Sequence, residues 1–227
     1  MNRKIFPDPR DANQYIADDI IALGVPLASQ SLHEAYERGI YPWPIDGIPY
    51  LPWFCPEERG VLFFKDLKLN ARLQRAYRYS DFRYSIDDAF DQVIAHCSEV
   101  PREPKGTWIT EEMIEAYRRF HRLGYAHSVE AWHGNKLVGG LYGVEVKGCF
   151  AGESMFHLES NGSKFALLYL IDHLKKAGVE WIDIQMLTPH MEKLGAKLIP
   201  REEFLDQLER AQKKGLKPFA EAARTQR

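Results

Sequence analysis

Three segments decide how this chain reads: GESMF at 152–156, SKFALLYLIDHLKKAG at 163–178, and WIDIQMLTPH at 181–190. The first and last alternate as strands do, while the middle one is apolar nearly all round, as in a helix buried against a sheet. Ser163 opens that helix and Gly178 ends it. Alternation along the last segment puts Trp181, Asp183 and Gln185 on one face and Ile182, Ile184 and Met186 on the other. Glu153 then lies at the end of one strand, with Asp183 and Gln185 on another. Carboxylates among apolar neighbours cost free energy, so this pattern calls for a ligand, a proton or a partner. Structural accounts of the same pattern exist: Glu153 paired with Lys164, or Asp183 held by the Trp181 N–H.

Working outward, AHSVEAW, KLVGGLYGVEV and CFAGESMF are strand-like runs joined at HGN and KG, the chemistry of tight turns, and form an antiparallel meander. Before them Thr110 caps the helix EEMIEAYRRFHRL, with acids in its first turn and bases in its last, and Gly124 stops it. PREPKG reads as a linker. Further upstream the pattern predicts a strand at VLFF, a helix at LKLNARLQRAYR, a strand at FRYSID, and a helix through His96 capped by Ser85 or Asp87. After the decisive stretch come a strand at LGAKLIP and a helix from Glu202 to Lys214, with the tail beyond Pro218 fraying. Near the start, IIALGVPL is a short buried strand or turn. Ser31 and Glu34 form a capping box for a helix over 31–38, and YPWPIDGIPYLPWFCPEER resists regular structure. The result is an α+β chain with a small N-terminal domain, 1–59, and a larger domain, 60–227, built on a mostly antiparallel mixed sheet flanked by helices.

The 227 residues are 27% charged and 45% hydrophobic, within the range of ordinary globular chains, and no low-complexity block or internal repeat appears, so disorder is not expected outside the ends. Cys55, Cys97 and Cys149 are three, far apart and in no CxxC pair, which indicates neither a disulfide framework nor a zinc site. No apolar run follows the basic N-terminus and none is long enough to span a membrane, so the expected location is the cytoplasm. The net charge of −2 does not suggest nucleic acid, but its distribution is uneven. From 65 to 83 the bases Lys65, Lys68, Arg72, Arg75, Arg78 and Arg83 face only Asp66 and Asp81. Arg72, Arg75 and Arg78 recur at spacing three, with Tyr77 and Tyr79 among them. The stripe is either a solvated helix face or a phosphate-binding one.

The segments FPDPRDAN, ALGVPL, AYERGIYPW, WFCPEER, GTWIT, EAYRRFHRLGYAHSVE, LVGGLYGV, GESMF, QMLTPH and LGAKLIPREEF, in this order, resemble the bacterial leucyl/phenylalanyl-tRNA-protein transferases through about Leu208. The resemblance implies an aminoacyltransferase that moves leucine, phenylalanine or methionine from aminoacyl-tRNA to the N-terminal arginine or lysine of a protein, marking it for N-end rule degradation. It implies no metal or organic cofactor, a monomer, and an acetyltransferase-like (GNAT-like) larger domain, in keeping with the order of two antiparallel strands, a helix and a further strand. By motif match it implies that Asp183 and Gln185 are a catalytic pair and Glu153 the acidic residue that attracts the acceptor. Leu141, Phe150, Leu170 and Leu174 match the amino-acid pocket, and Trp43 and Trp108 match the tryptophans that contact the 3′ adenosine. With tRNA as donor, Lys65, Lys68, Arg72, Arg75 and Arg78 become the phosphate-binding face. The chain departs from the family at Leu141, where methionine is common, at Leu170 and Leu174, where some members carry aromatics, and at Val25, Pro52 and CPEER.

Two alternatives stand beside this reading. A small-molecule N-acetyltransferase would share the fold but should carry a Gln/Arg-x-x-Gly-x-Gly/Ala turn for the coenzyme A pyrophosphate, to which HRLGYA at 121–126 comes closest with His first. A non-catalytic homologue that binds aminoacyl-tRNA or protein N-termini would have lost its transfer chemistry, against which stand Glu153, Asp183 and Gln185.

Overall fold

A computed structural model describes residues 4–100 and 107–220, so the linker reading of 101–106 lies outside the described residues. In chain order the elements are β1 (Ile20–Leu23), α1 (Ser29–Glu37), β2 (Tyr41–Pro42), β3 (Pro52–Phe54), β4 (Glu58–Phe63), α2 (Ala71–Arg78), β5 (Arg83–Ile86), α3 (Phe90–Glu99), α4 (Glu111–Arg122) and β6 (Ala126–His133). They continue with β7 (Lys136–Val146), β8 (Cys149–His157), α5 (Gly162–Lys176), β9 (Trp181–Gln185), α6 (Pro189–Lys193), β10 (Lys197–Pro200) and α7 (Arg201–Lys213).

The expected meander is present as β6, β7 and β8, antiparallel in register Ala126↔Val144 and Val144↔Ala151. α5 then crosses over the sheet, and β9 returns parallel to β8. The crossover lies close because glycines face each other: a Cβ at Gly139 would sit 2.4 Å from the backbone of Gly162. Seven strands form one mixed sheet in the order β10-β4-β9-β8-β7-β6-β5, and a separate three-stranded sheet runs β1-β3-β2. One apolar cluster joins Trp53, Ile21 and Leu32 from the small sheet and α1 to Tyr117, Tyr142 and Trp181 of the large part. The opposite face of the large sheet packs on α5 through Leu167, Leu170, Ile171 and Leu174.

Several local expectations are corrected. The aromatic and proline stretch forms two strands, β2 and β3, because Trp53 is fully buried and the backbone of Tyr41 and Pro42 pairs with it and Phe54. α1 begins at Ser29 without a side-chain cap, and Glu34 instead accepts the backbone N–H groups of Ile5 and Phe6 and pairs with Arg38. Neither Ser85 nor Asp87 caps α3, since Ser85 donates to Glu130 and Asp87 takes the Ser128 N–H. α5 likewise starts one residue early, from a left-handed Asn161. Phe219 is buried and stacks on His127 at 4.0 Å, so the chain is still packed one residue past Pro218; the rest of the expected frayed tail, 221–227, lies outside the described residues. HRLGYA terminates α4, with Gly124 left-handed and His121 Nδ1 2.8 Å from the Ala126 carbonyl oxygen, so that carbonyl is already bonded to the chain itself. Thr110 caps α4 as expected, accepting the Met113 N–H. Among the described residues no helix is long and apolar enough to cross a membrane.

Candidate active site

The site grows from an irregularity where β4 meets β9. Gly60 pairs with Gln185 but Val61 pairs with Asp183, so β9 carries an extra residue there, a β-bulge. The Met186 N–H reaches back to the Ile184 carbonyl at 2.6 Å, closing a three-residue turn in which Gln185 has φ +59°. A non-glycine residue there is strained, and such turns persist only where their surroundings over-determine them. Here two features do so. A Cβ at position 60 would lie 2.9 Å from the Met186 carbonyl carbon, so the glycine makes room for the turn. Asp183 Oδ1 accepts the Gln185 backbone N–H at 2.9 Å and fixes it from inside.

Asp183 is itself gripped by Arg59, whose Nε and Nη2 donate to its two oxygens at 2.9 and 2.7 Å. This is a fork-to-fork pair, with Arg59 1% exposed. The Arg59 guanidinium carbon lies 4.5 Å from the ring centres of both Tyr41 and Phe204. Burial works against its charge, but the Asp183 carboxylate outweighs burial and raises its pKa further. Asp183 is therefore held neither by Trp181 nor by the Gln185 side chain: it anchors the Gln185 backbone.

The Gln185 side chain turns instead to Glu153, donating from Nε2 to Oε1 at 2.6 Å. Tyr36 Oη from α1 donates to the same oxygen at 2.8 Å, Tyr117 Oη from α4 donates to Oε2 at 3.2 Å, and the two hydroxyl oxygens are 2.5 Å apart. Lys164 takes no part. Burial raises the Glu153 carboxyl to about 7 against the pull of these three donors. Burial, and then the charge of Glu153, raises both tyrosines well above their ordinary values, so both keep their protons.

Glu153 borders a cavity of about 390 Å³. β8 and β9 are registered only at Ala151↔Asp183, and the cavity lies between the residues that follow on each strand. Leu141, Phe150 and Leu170 line it as expected, together with Leu167, Ile182 and Met191. Leu174 does not, being fully buried in the core between α5 and the sheet. His190 is at the rim, its pKa lowered by burial and then by Lys164. Met186 also borders a second, open groove of about 550 Å³ lined by Trp43, Tyr41, Asp18, Asp19, Glu57 and Glu58. Trp43 stacks on Trp108, centres 4.4 Å apart at 24°.

The basic stretch is not one helix. Lys65 sits in a short 3-10 turn, Lys68 in a loop, and only Ala71–Arg78 is helical, capped by Asn70. Lys65, Lys68, Arg72, Arg75, Arg78 and Arg83 are all exposed, and no ion pair involves Arg72, Arg75 or Arg78 among the described residues.

Sequence reasoning missed Arg59, Tyr36 and Tyr117. Tyr36 falls within the stretch read only as a helix over 31–38, and Arg59 at the end of the domain drawn as 1–59. An arginine two residues before the apolar run VLFF was the available signal, since arginine is buried almost only when paired. Nothing local marked the tyrosines, whose hydroxyls meet across 81 residues of chain.

A buried carboxyl with a raised pKa at the edge of an apolar cavity, with polar groups converging on it, marks this place as the candidate ligand site. The family model described as leucyl/phenylalanyl-tRNA protein transferase matches residues 61–209. The relative from Syntrophus aciditrophicus that bears this family's name is 48% identical over 82% of this chain and 78% of its own length. Another from Anaeromyxobacter sp., of the same name, is 45% identical over 91% of this chain and 87% of its own length. The chain belongs to the leucyl/phenylalanyl-tRNA-protein transferase family, a family of aminoacyltransferases. A functionally unknown conserved protein from Staphylococcus epidermidis aligns over 80% of this chain and 68% of its own at 12% identity and a TM-score of 0.45, a likeness too distant to carry any argument.

Proposed function

We propose that this chain transfers leucine, phenylalanine or methionine from aminoacyl-tRNA to the N-terminal arginine or lysine of acceptor proteins, as a cytoplasmic monomer feeding N-end rule degradation. The observation that carries the reading is the apolar cavity ending at Glu153 in a chain of this family. The cavity would receive the apolar side chain of the transferred amino acid, flanked by Leu141, Phe150 and Leu170. The acetyltransferase-like character of the larger domain, 60–227, belongs to the same proposal, as does its division from 1–59.

An aminoacyl ester is already activated, so the enzyme must hold ester and amine together and supply a neutral amine. Asp183, fixed by Arg59, holds the backbone of Gln185. Gln185 gives its N–H to Glu153, which leaves its carbonyl oxygen to receive an N–H of the acceptor amine and aim the nitrogen lone pair at the ester carbon. The stacked Trp43 and Trp108 offer an indole face to the 3′ adenosine. The groove bearing Asp18, Asp19, Glu57 and Glu58 adjoins the cavity at Met186 and would favour a basic acceptor. Lys65, Lys68, Arg72, Arg75 and Arg78 would hold tRNA phosphates.

The test is transfer of labelled leucine, phenylalanine and methionine from charged tRNA to peptides beginning with Arg, Lys, Asp or Ala. Transfer to Arg and Lys alone supports the reading, and no transfer to any peptide overturns it. For the tRNA face, the triple change Arg72→Ala, Arg75→Ala, Arg78→Ala should flatten the slope of log affinity against log salt by about 2 to 3. An unchanged slope removes these arginines from the interface.

A further inference from the structure

The contacts around Glu153 do not balance in hydrogens. Four short contacts meet there: Gln185 Nε2 with Oε1, Tyr36 with Oε1, Tyr117 with Oε2, and Tyr36 with Tyr117. With the carboxyl ionised, only three hydrogens are available to fill them: one from the amide and one from each hydroxyl. Either the two phenol oxygens face each other at 2.5 Å with no hydrogen between them, or one carboxylate oxygen loses a donor. One added proton on Oε2 resolves this. Oε2–H then donates to Tyr117, Tyr117 to Tyr36, and Tyr36 to Oε1, which also keeps the Gln185 N–H. Every gap is filled in one direction around the ring. The groups facing this ring are Tyr36 from α1, Tyr117 from α4, Tyr142 from β7, Asp183 from β9 with its partner Arg59 from β4, and His190 from α6. Asp183 has its oxygens committed to Arg59 and the Gln185 backbone, which leaves Glu153 as the carboxyl open to the cavity.

We infer that Glu153 takes the proton that the acceptor's α-ammonium must lose, and that Tyr36 and Tyr117 are positioning residues that store this proton in a closed ring. The inference rests on the transfer reaction proposed above. Gln185 then orients the amine and does not draw its proton. In the step, the ammonium N–H bond breaks, its electron pair stays on nitrogen, and the proton goes to Oε2 of Glu153. The neutral amine attacks the ester carbon, the C–N bond forms and the C–O bond to the ribose breaks. The departing ribose oxygen takes the second proton of the amine, and Glu153 later returns its own to solvent. A carboxyl raised to about 7 is matched to an α-ammonium that titrates near 8, so the transfer runs at neutral pH with little cost.

The experiment compares two acceptors at pH 7: an ordinary Arg-initiated peptide and the same peptide with an aminooxy group in place of its α-amine, which is already unprotonated. Transfer by the wild-type protein to the Arg peptide is the control for the reading itself, and without it the reaction, not the proton route, has failed. Given that control, Glu153→Gln should lose about 100-fold or more on the Arg peptide yet stay within about tenfold of wild type on the aminooxy peptide. Equal loss on both acceptors makes Glu153 an orienting group and overturns the inference. So does full activity on the Arg peptide. Binding of 3′-leucylamino-3′-deoxyadenosine checks that the variant keeps a donor site. If it does not, Tyr117→Phe decides: the carbon-13 titration of Glu153 should move by about half a unit or more, and an unmoved titration overturns the ring.

Discussion

Two glutamates lie buried in the same sheet, Glu130 on β6 and Glu153 on β8, and their surroundings differ in two respects. Glu130 is fully buried, and burial raises its carboxyl too. It accepts from the Ser128 hydroxyl at 2.5 Å, the Ser85 hydroxyl at 2.6 Å and the Ala89 N–H at 3.3 Å. Ser85 in turn accepts the Trp132 indole N–H at 2.8 Å. Each contact has its own hydrogen, so nothing there wants another proton, and Glu130 borders no described cavity. Its role is to tie β5, β6 and the start of α3 together. Glu153 has one contact more than its donors can fill, and it borders the cavity. Burial and a raised pKa are common to both. What separates a structural carboxyl from a chemical one is the hydrogen count and the access.

The contrast can be broken most forcefully at Arg59. Arg59→Leu leaves Asp183 buried without its partner and should cost about 3 to 5 kcal/mol by denaturant unfolding. It should also release the strained turn at Gln185, so that transfer falls further than the folded fraction does. A variant that keeps full stability and transfer would mean that Asp183 does not hold the site.

Glu153 gives a pH signature next in size. Its carboxyl is raised from 4.5 to about 7, so between these values the folded chain holds a proton that the unfolded chain has released. The stabilisation is complete below the lower value and is lost as pH rises through the upper one. Relative to Glu153→Gln, the wild-type protein should therefore lose up to about 3 kcal/mol between pH 4.5 and 7.5, read from unfolding free energies. A difference that is flat with pH would show that Glu153 stays ionised and would sharpen nothing.

The smallest effect belongs to Glu130. Glu130→Gln should cost about 1 to 2 kcal/mol through one mispaired hydroxyl and leave transfer within about twofold. Loss of transfer in a folded Glu130→Gln protein would dissolve the distinction between the two carboxyls.

Much of this was present in the chain as written. The meander, the crossover helix and the return strand followed from periods of 2 and 3.6 residues and from the turns at HGN and KG. Thr110 and Gly124 marked the ends of α4 because capping and left-handed backbone are local chemistry. Glu153, Asp183 and Gln185 stood out because polar residues interrupted apolar runs, and family membership follows from ordered motifs. What periodicity got wrong lay where a distant segment overrode local preference. The proline-rich stretch became strands because Trp53 had a core to fill, and Glu34 left its capping box for the N-terminal backbone. The left-handed turn at Gln185 depends on Gly60, 125 positions away, and the proton-short ring needs side chains from α1, α4, β8 and β9 at once. Alternation tells which face a residue takes. Only packing decides which oxygen it meets there, and with how many hydrogens.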